Sequence, residues 1–322
     1  MTSPPVSDEA PAPRVLAFED NSLLASLYGW HDRHLVRIEQ ELGVSLTCRG
    51  NQVSIAGPAE PAGTAVLVLN GLYGRLKDGL TVGPAEVEAM LRMAGDPSIS
   101  NTEVRTSRRR ISARTLNQAR YLKTLTTSSM VFALGPAGTG KTYLAVAVAV
   151  AMLEAGDVDR IVLSRPAVEA GERLGFLPGD LREKVDPYLR PLYDALYDTM
   201  PADKANRRLA SDDIEVAPLA FMRGRTLSNA FVILDEAQNT SRMQMKMFLT
   251  RLGENARMVV TGDLTQVDLP EGQVSGLADA VRILESVEDI KVVTFTDVDI
   301  VRHPLVAKIV RAWDADDHRD AP

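Results

Sequence analysis

Cysteine is nearly absent. Cys48 stands alone among 322 residues, so no disulfide can close within the chain and no thiolate metal cluster can assemble. Histidine is sparse as well, four in all, which argues against a histidine zinc site. Basic charge is not in excess: Lys plus Arg number 36 against 43 Asp plus Glu, for a formal net charge of −7. That excludes a wholly basic nucleic-acid binder but leaves room for a local basic patch. Long apolar runs are missing too. The longest, Leu144 to Leu153, is about half the stretch of roughly 20 residues needed to cross a bilayer. The opening residues MTSPPVSDEAPAP lack the basic and apolar regions of a secretory signal, so the expectation is a soluble, cytoplasmic protein. What remains is a globular composition, 45% apolar and 25% charged with 5% aromatic. The length leaves room for two or three domains at roughly 150 residues each.

The first 13 residues, rich in Pro, Ala and Ser, are expected as a disordered tail. Residues 14–94 read as a small α+β domain. Asn21 to Leu27 and Asp32 to Leu42 are predicted helices, the second closed by Gly43 in the manner of a C-cap glycine. Val44 to Thr47 and Gln52 to Ile55 alternate as strands around an Arg49-Gly50-Asn51 turn, and Ala62 to Lys77 returns to helical spacing. A first strand over Val15 to Phe18 is also compatible with the pattern. Residues 95–114 read as a basic linker. From Asn101 to Lys123 seven Lys or Arg face one acid, which suits either a solvated linker or an arm that contacts phosphate. Residues 115–313 then alternate strand and helix. Apolar runs at Met130–Leu134, Ile161–Leu163, Phe231–Leu234, Met258–Val260 and Val292–Phe295 are separated by helical stretches at Thr142–Ala155, Leu181–Thr199, Ser241–Leu252 and Leu277–Ser286. Continuous apolar strands between helices predict an α/β fold with a mostly parallel, buried sheet. A last helix is expected over Pro304–Trp313, before an acidic tail at 314–322, and no internal repeat is visible.

Chemistry concentrates at strand ends. Gly135-Pro136-Ala137-Gly138-Thr139-Gly140-Lys141-Thr142 satisfies G-x-x-x-x-G-K-[ST] at every position, between an apolar strand and a helix. Such glycines let backbone N–H groups curl around phosphate, Lys141 supplies charge to the β and γ phosphates, and the Thr142 hydroxyl is a candidate Mg2+ ligand. Phe231-Val-Ile-Leu-Asp235-Glu236 ends a buried strand in two carboxylates, where open α/β sheets place ligand chemistry. Asp235 is expected to hold Mg2+ through water, and Glu236 to polarise an attacking water. Thr261-Gly262-Asp263-Leu-Thr-Gln266 ends a third strand. Asp263 and Gln266 suit sensing of the γ-phosphate or positioning of water, although a simple turn with an Asp cap reads equally well from the pattern.

These motifs, with DEAQNTSRMQMKMFLTRLG after the second strand, closely resemble the PhoH-like family of P-loop ATPases over about Thr115 to Trp313. The resemblance implies a RecA-like core similar to the first such domain of superfamily 1 helicases, with ATP and Mg2+ as cofactors. It makes Gln238 the end of a helicase-type DEAQ motif and Asn117-Gln118 a Q motif, with Gln118 reading the adenine edge and Tyr121 stacking on it. Ser164-Arg165-Pro166-Ala167-Val168 looks like the strand-end segment that touches single-stranded nucleic acid in related helicases, or that brings Arg165 to nucleotide phosphate. Helicases of this kind bring catalytic arginines from a second RecA-like domain, and here only a short tail follows Trp313. The expectation is an arginine in trans from a homo-oligomer such as a hexameric ring, with Arg302 the favoured residue and Arg165 and Arg173 behind it. The family further implies single-stranded RNA as a partner, RNA processing beside an endoribonuclease, and a link to phosphate starvation.

The amino-terminal domain resembles the family's KH-like module. Where a KH fold carries GXXG, this chain reads Gly29-Trp30-His31-Asp32, without the second glycine, and residues 1–94 carry a net charge of −4. Trp30 suits base stacking or an interface, and the module equally suits docking. Cys48 is expected as a core thiol, His31 and His34 as surface residues, and Met243, Met245, Met247 and Phe248 as core. Two functions remain open: an RNA-directed ATPase, and an ATPase switch that governs protein assembly without nucleic acid. A small-molecule kinase fits less well, because adjacent Asp235 and Glu236 suit water activation.

Overall fold

The computed structural model describes residues 13–94, 102–166, 181–270 and 272–301. The chain divides into two compact units, Met1–Thr102 with Ala113–Leu116, and Glu103–Ser112 with Asn117–Pro322. The expected helix over Pro304–Trp313, the acidic tail, the amino-terminal tail, and Arg173 and Arg302 all lie outside the described residues.

The first unit runs β1 (Arg14–Ala17), α1 (Leu24–Tyr28), α2 (Arg33–Leu42), β2 (Ser45–Arg49), β3 (Gln52–Ala56), α3 (Ala59–Lys77) and α4 (Pro84–Met93). The strands form an antiparallel sheet in the order β1-β3-β2. Ala62, Ala65, Leu69, Leu72 and Leu76 recur at helical spacing in α3 and are all buried, so this helix supplies one wall of the core. Helix α4 was not foreseen. Its signal is a Gly83-Pro84 start with Glu86 reaching back to the Gly83 amide at 2.9 Å, followed by buried Val87, Met90 and Leu91. One expectation is corrected here. His34 is buried rather than on the surface, with Nδ1 3.1 Å from the Leu27 carbonyl oxygen. It fits because Gly29 has no side chain: a Cβ there would stand 2.8 Å from the imidazole. Cys48 is partly buried against the core cluster. Between α1 and α2, the non-glycine residues His31 and Asp32 hold φ of 51° and 54°, and Trp30 is exposed.

The second unit begins with a hairpin of β4 (Glu103–Arg105) and β5 (Arg110–Ser112), where an unstructured linker was expected. Then follow α5 (Leu116–Thr127), β6 (Met130–Leu134), α6 (Lys141–Ala155), β7 (Arg160–Arg165), α7 (Leu181–Thr199), α8 (Ala202–Ala210), β8 (Ile214–Pro218), β9 (Ala230–Leu234), α9 (Arg242–Leu249), β10 (Arg257–Gly262), α10 (Gly276–Leu284) and β11 (Ile290–Thr294). Six strands pair in the order β11-β6-β10-β9-β7-β8, each pair parallel. All five residues of β6 and of β9 are buried, which is why both read as unbroken apolar runs. Each large apolar side chain so buried contributes roughly 1.5–3 kcal/mol, which keeps these strands inside the sheet rather than at its edges. Edge strand β8 was missed because Glu215 and the terminal Pro218 interrupt its apolar run. Met243 proves exposed, while Met245 and Phe248 fill the core as expected. No described helix is long and apolar enough to cross a membrane.

Candidate functional site

Parallel strands deliver their C-terminal ends to one edge of the sheet. The loop between β6 and α6 starts at Gly135, whose φ is +139°, and a Cβ at this position would lie 2.4 Å from the Phe295 carbonyl oxygen. Only glycine lets the backbone pass there. The loop is braced from several sides. The Gly135 amide donates to the Gly262 carbonyl at 3.2 Å, and the Val301 amide donates to the Gly138 carbonyl at 3.0 Å. The Thr139 hydroxyl donates to the Pro136 carbonyl at 2.9 Å.

Lys141 begins α6 and folds its ammonium back into the loop, donating to the Gly135 carbonyl at 2.6 Å and the Pro136 carbonyl at 2.9 Å. Burial holds its pKa below the ordinary lysine value, although the nearby carboxylates of Asp263, Glu236 and Asp235 oppose that shift. The next residue, Thr142, donates its hydroxyl to Asp235 Oδ1 at 2.5 Å. Thr261, at the end of β10, donates to the same oxygen at 2.7 Å. Asp235 is thus held by hydroxyls from a helix and from the neighbouring strand.

Glu236 takes a left-handed backbone (φ 51°) just beyond β9. Gln238 bridges outward from it, donating to Glu236 Oε2 at 2.5 Å while its own Oε1 accepts the Asp263 amide at 3.1 Å. Asp263 uses Oδ1 to accept the Thr265 amide and hydroxyl, at 3.0 and 2.7 Å. Its other oxygen, Oδ2, is buried without a hydrogen-bond partner. Such an atom is costly to desolvate unless something arrives to meet it.

Lys141, Thr142, Asp235, Glu236, Asp263 and Gln266 all line one cavity of about 240 Å3, together with the loop glycines Gly138 and Gly140. The donor set at Thr142, Asp235 and Asp263 is oxygen throughout, which fits Mg2+ held by few protein ligands and completed by phosphate oxygens.

Gln118 and Tyr121, expected at the adenine, lie against the 135–142 loop. Gln118 is buried and donates to the Thr139 carbonyl at 2.9 Å. Tyr121 is fully buried, with its ring edge-on to Phe295 and its hydroxyl donating to the Lys141 carbonyl at 3.2 Å. Both side chains support the loop from beneath, so the Tyr121 ring offers no open face for a base to stack on. Asn117 completes this underlayer by donating to the buried Asp299 at 2.8 Å. Nothing in the local pattern signalled that pairing across 182 positions.

Three arginines of the basic run meet acceptors of the chain itself. Arg105 pairs with Glu103 at 2.8 Å, Arg109 with Asp198 at 2.6 Å, and Arg108 donates to the Tyr197 carbonyl. Ser107, at the hairpin tip, donates through both amide and hydroxyl to Glu154 of α6. Asp198 also accepts the hydroxyl of Tyr143, which lines the cavity, at 2.9 Å. Burial and the Asp198 carboxylate push that phenol up to about 12. Of the strand-end segment, Arg165 lies 3.2 Å from Glu236, a contact the sequence did not suggest.

A parallel sheet whose first loop wraps a lysine, and whose neighbouring strands end in Asp235-Glu236 and Asp263, defines a P-loop NTPase. Comparison with known proteins places it further: a family profile described as "PhoH-like protein" matches residues 110–314, and the chain belongs to that family. It is 51% identical over 298 residues to a PhoH-like protein of Mycobacterium tuberculosis, covering 90% of this chain and 85% of the relative. To a PhoH-like protein of Bacillus subtilis it is 46% identical over 297 residues, covering 90% and 93%. To the Protein PhoH of Escherichia coli it is 45% identical over 229 residues, covering 70% and 65%. Among solved structures, the UvsW helicase from bacteriophage T4 is similar over 70% of this chain and 78% of its own, at 12% identity and a TM-score of 0.36. That likeness is too slight to bear on function.

Proposed function

We propose that the chain binds and hydrolyses ATP and couples hydrolysis to work on single-stranded RNA as a homo-oligomer. The observation that carries the hydrolase reading is the convergence of the 135–142 loop, Asp235 and Glu236 on one cavity. Loop amides and the Lys141 ammonium hold the β and γ phosphates, and Lys141 exchanges its loop carbonyls for phosphate oxygens when nucleotide enters. Thr142 and Asp235 would hold Mg2+, whose positive charge neutralises phosphate oxygens when it is bound. Glu236 accepts a hydrogen bond from the attacking water and orients it. Asp263 and Gln266, which line the same cavity, register the γ-phosphate. Gln118 and Tyr121 act on nucleotide through the loop they support.

Arg302 belongs to this proposal as the arginine offered in trans by a neighbouring subunit, in a ring such as a hexamer. The RNA reading draws on Ser164-Arg165-Pro166, a segment of helicase-like sequence that ends the strand beside Glu236. An endoribonuclease partner, a place in phosphate-starvation physiology and a cytoplasmic location extend the same family reading. A second reading, an ATPase switch for protein assembly, is favoured by one observation: hairpin arginines Arg105, Arg108 and Arg109 are engaged with the chain's own acceptors.

Steady-state phosphate release, measured with and without single-stranded RNA at low and moderate salt, separates the two. Stimulation that weakens as salt rises supports RNA as the working partner, because phosphate contacts release counterions. Hydrolysis indifferent to RNA supports the assembly switch.

A further inference from the structure

Both carboxylate oxygens of Glu236 are engaged. Oε1 lies 3.2 Å from the guanidinium of Arg165, and Oε2 accepts the 2.5 Å bond from Gln238. Arg165 is the last residue of β7, which pairs in parallel with β9, so the two side chains leave adjacent strand ends. The guanidinium is anchored on its other side, where Nη1 donates to the Tyr188 carbonyl of α7 at 3.1 Å. Glu236 lines the cavity and Arg165 does not.

A carboxylate that orients an attacking water must offer it an oxygen and a negative charge. A guanidinium on Oε1 occupies that oxygen and neutralises that charge. The Arg165 side chain keeps about a fifth of its surface exposed, so an incoming anion can reach it. A phosphodiester matches the guanidinium fork at least as well as one carboxylate oxygen does.

We propose that Arg165 is a positioning residue that parks Glu236 away from the attacking water, and that a phosphodiester of single-stranded RNA reaching the end of β7 takes the guanidinium and frees the carboxylate. This rests on the hydrolase reading above and adds to it the place where RNA would act on the rate. The pair is partly exposed, and a pair of that kind shifts a two-state balance by roughly two- to fivefold.

The test compares kcat and KM for ATP in wild type, Arg165→Gln and Arg165→Lys, with and without a single-stranded uridine homopolymer. Arg165→Gln should raise the RNA-free kcat by roughly two- to fivefold, leave KM for ATP unchanged, and lose its response to the homopolymer. Arg165→Lys, which keeps a cation at the end of β7, should rise less than Arg165→Gln. An RNA-free kcat that falls or stays unchanged in Arg165→Gln, with wild type active, overturns the parking role and leaves the hydrolase reading standing. A rise in Arg165→Gln with wild type indifferent to the homopolymer overturns the phosphodiester trigger. Absence of hydrolysis in wild type and variants alike overturns both readings.

Discussion

Thr142 and Asp235, 93 positions apart in the chain, meet at 2.5 Å through a hydroxyl-to-carboxylate hydrogen bond. That contact joins the first turn of α6 to the end of β9, and Thr261 secures the same carboxylate oxygen from β10. It brings the hydroxyl and the carboxylate that would share Mg2+ into one position before any ligand arrives.

Asp235→Asn should therefore uncouple nucleotide affinity from the metal. Nucleotide Kd measured with Mg2+ and after its removal by chelation should differ clearly in wild type and hardly at all in the variant. An unchanged Mg2+ dependence in Asp235→Asn would move the metal site elsewhere.

Lys141→Ala removes an ammonium that braces the loop carbonyls of Gly135 and Pro136 and that is proposed to meet phosphate. A lost hydrogen bond to a charged group is worth about 1.5–3 kcal/mol, or roughly 10- to 100-fold in Kd. Titration with a fluorescent ATP analogue checks it, and affinity equal to wild type would rule out the loop as the phosphate site.

Gln118 supports the loop through the Thr139 carbonyl. Gln118→Ala should accordingly weaken ATP and GTP binding by a similar factor. Competition binding with the two nucleotides measures the ratio. Selective loss of ATP would show that the amide turns to the base instead.

Glu154 couples the β4–β5 hairpin to pH. Burial alone would raise its carboxyl, but the bonds from Lys204 at 2.6 Å and from Ser107 outweigh burial and hold it below its ordinary value. A carboxylate lowered in the folded state contributes stability that is complete above its unfolded pKa, and that is lost as pH falls through the folded one. Wild type should exceed Glu154→Gln in Tm near neutral pH, by an amount corresponding to about 1–3 kcal/mol. That gap should close on acidification below the ordinary glutamate range. A gap independent of pH would mean the carboxylate charge is not what holds the hairpin.

The elements that carry the chemistry were legible because their causes are local. Met130–Leu134 and Phe231–Leu234 are buried on both faces and so read as apolar runs, and the glycine spacing of 135–140 follows from what phosphate needs of a backbone. Helix α4 and strand β8 carry weaker patterns, at a capped start and a sheet edge. The β4–β5 hairpin looked like a linker because its stability comes from Glu154 and Asp198, tens of residues away. His34 looked like a surface residue because no local pattern shows that Gly29 clears a space for its ring. Gln118 and Tyr121 were placed by motif at the adenine, and their side chains instead meet the carbonyls of Thr139 and Lys141 on the buried side of the loop.

Glu236→Gln tests the central claim most directly. The variant keeps the side-chain size and the loop intact, so it should bind ATP as wild type does, while single-turnover hydrolysis falls by roughly 10²-fold or more, the contribution expected of a positioned general base. Wild-type turnover in Glu236→Gln would contradict the assignment of this cavity as the site where water is activated.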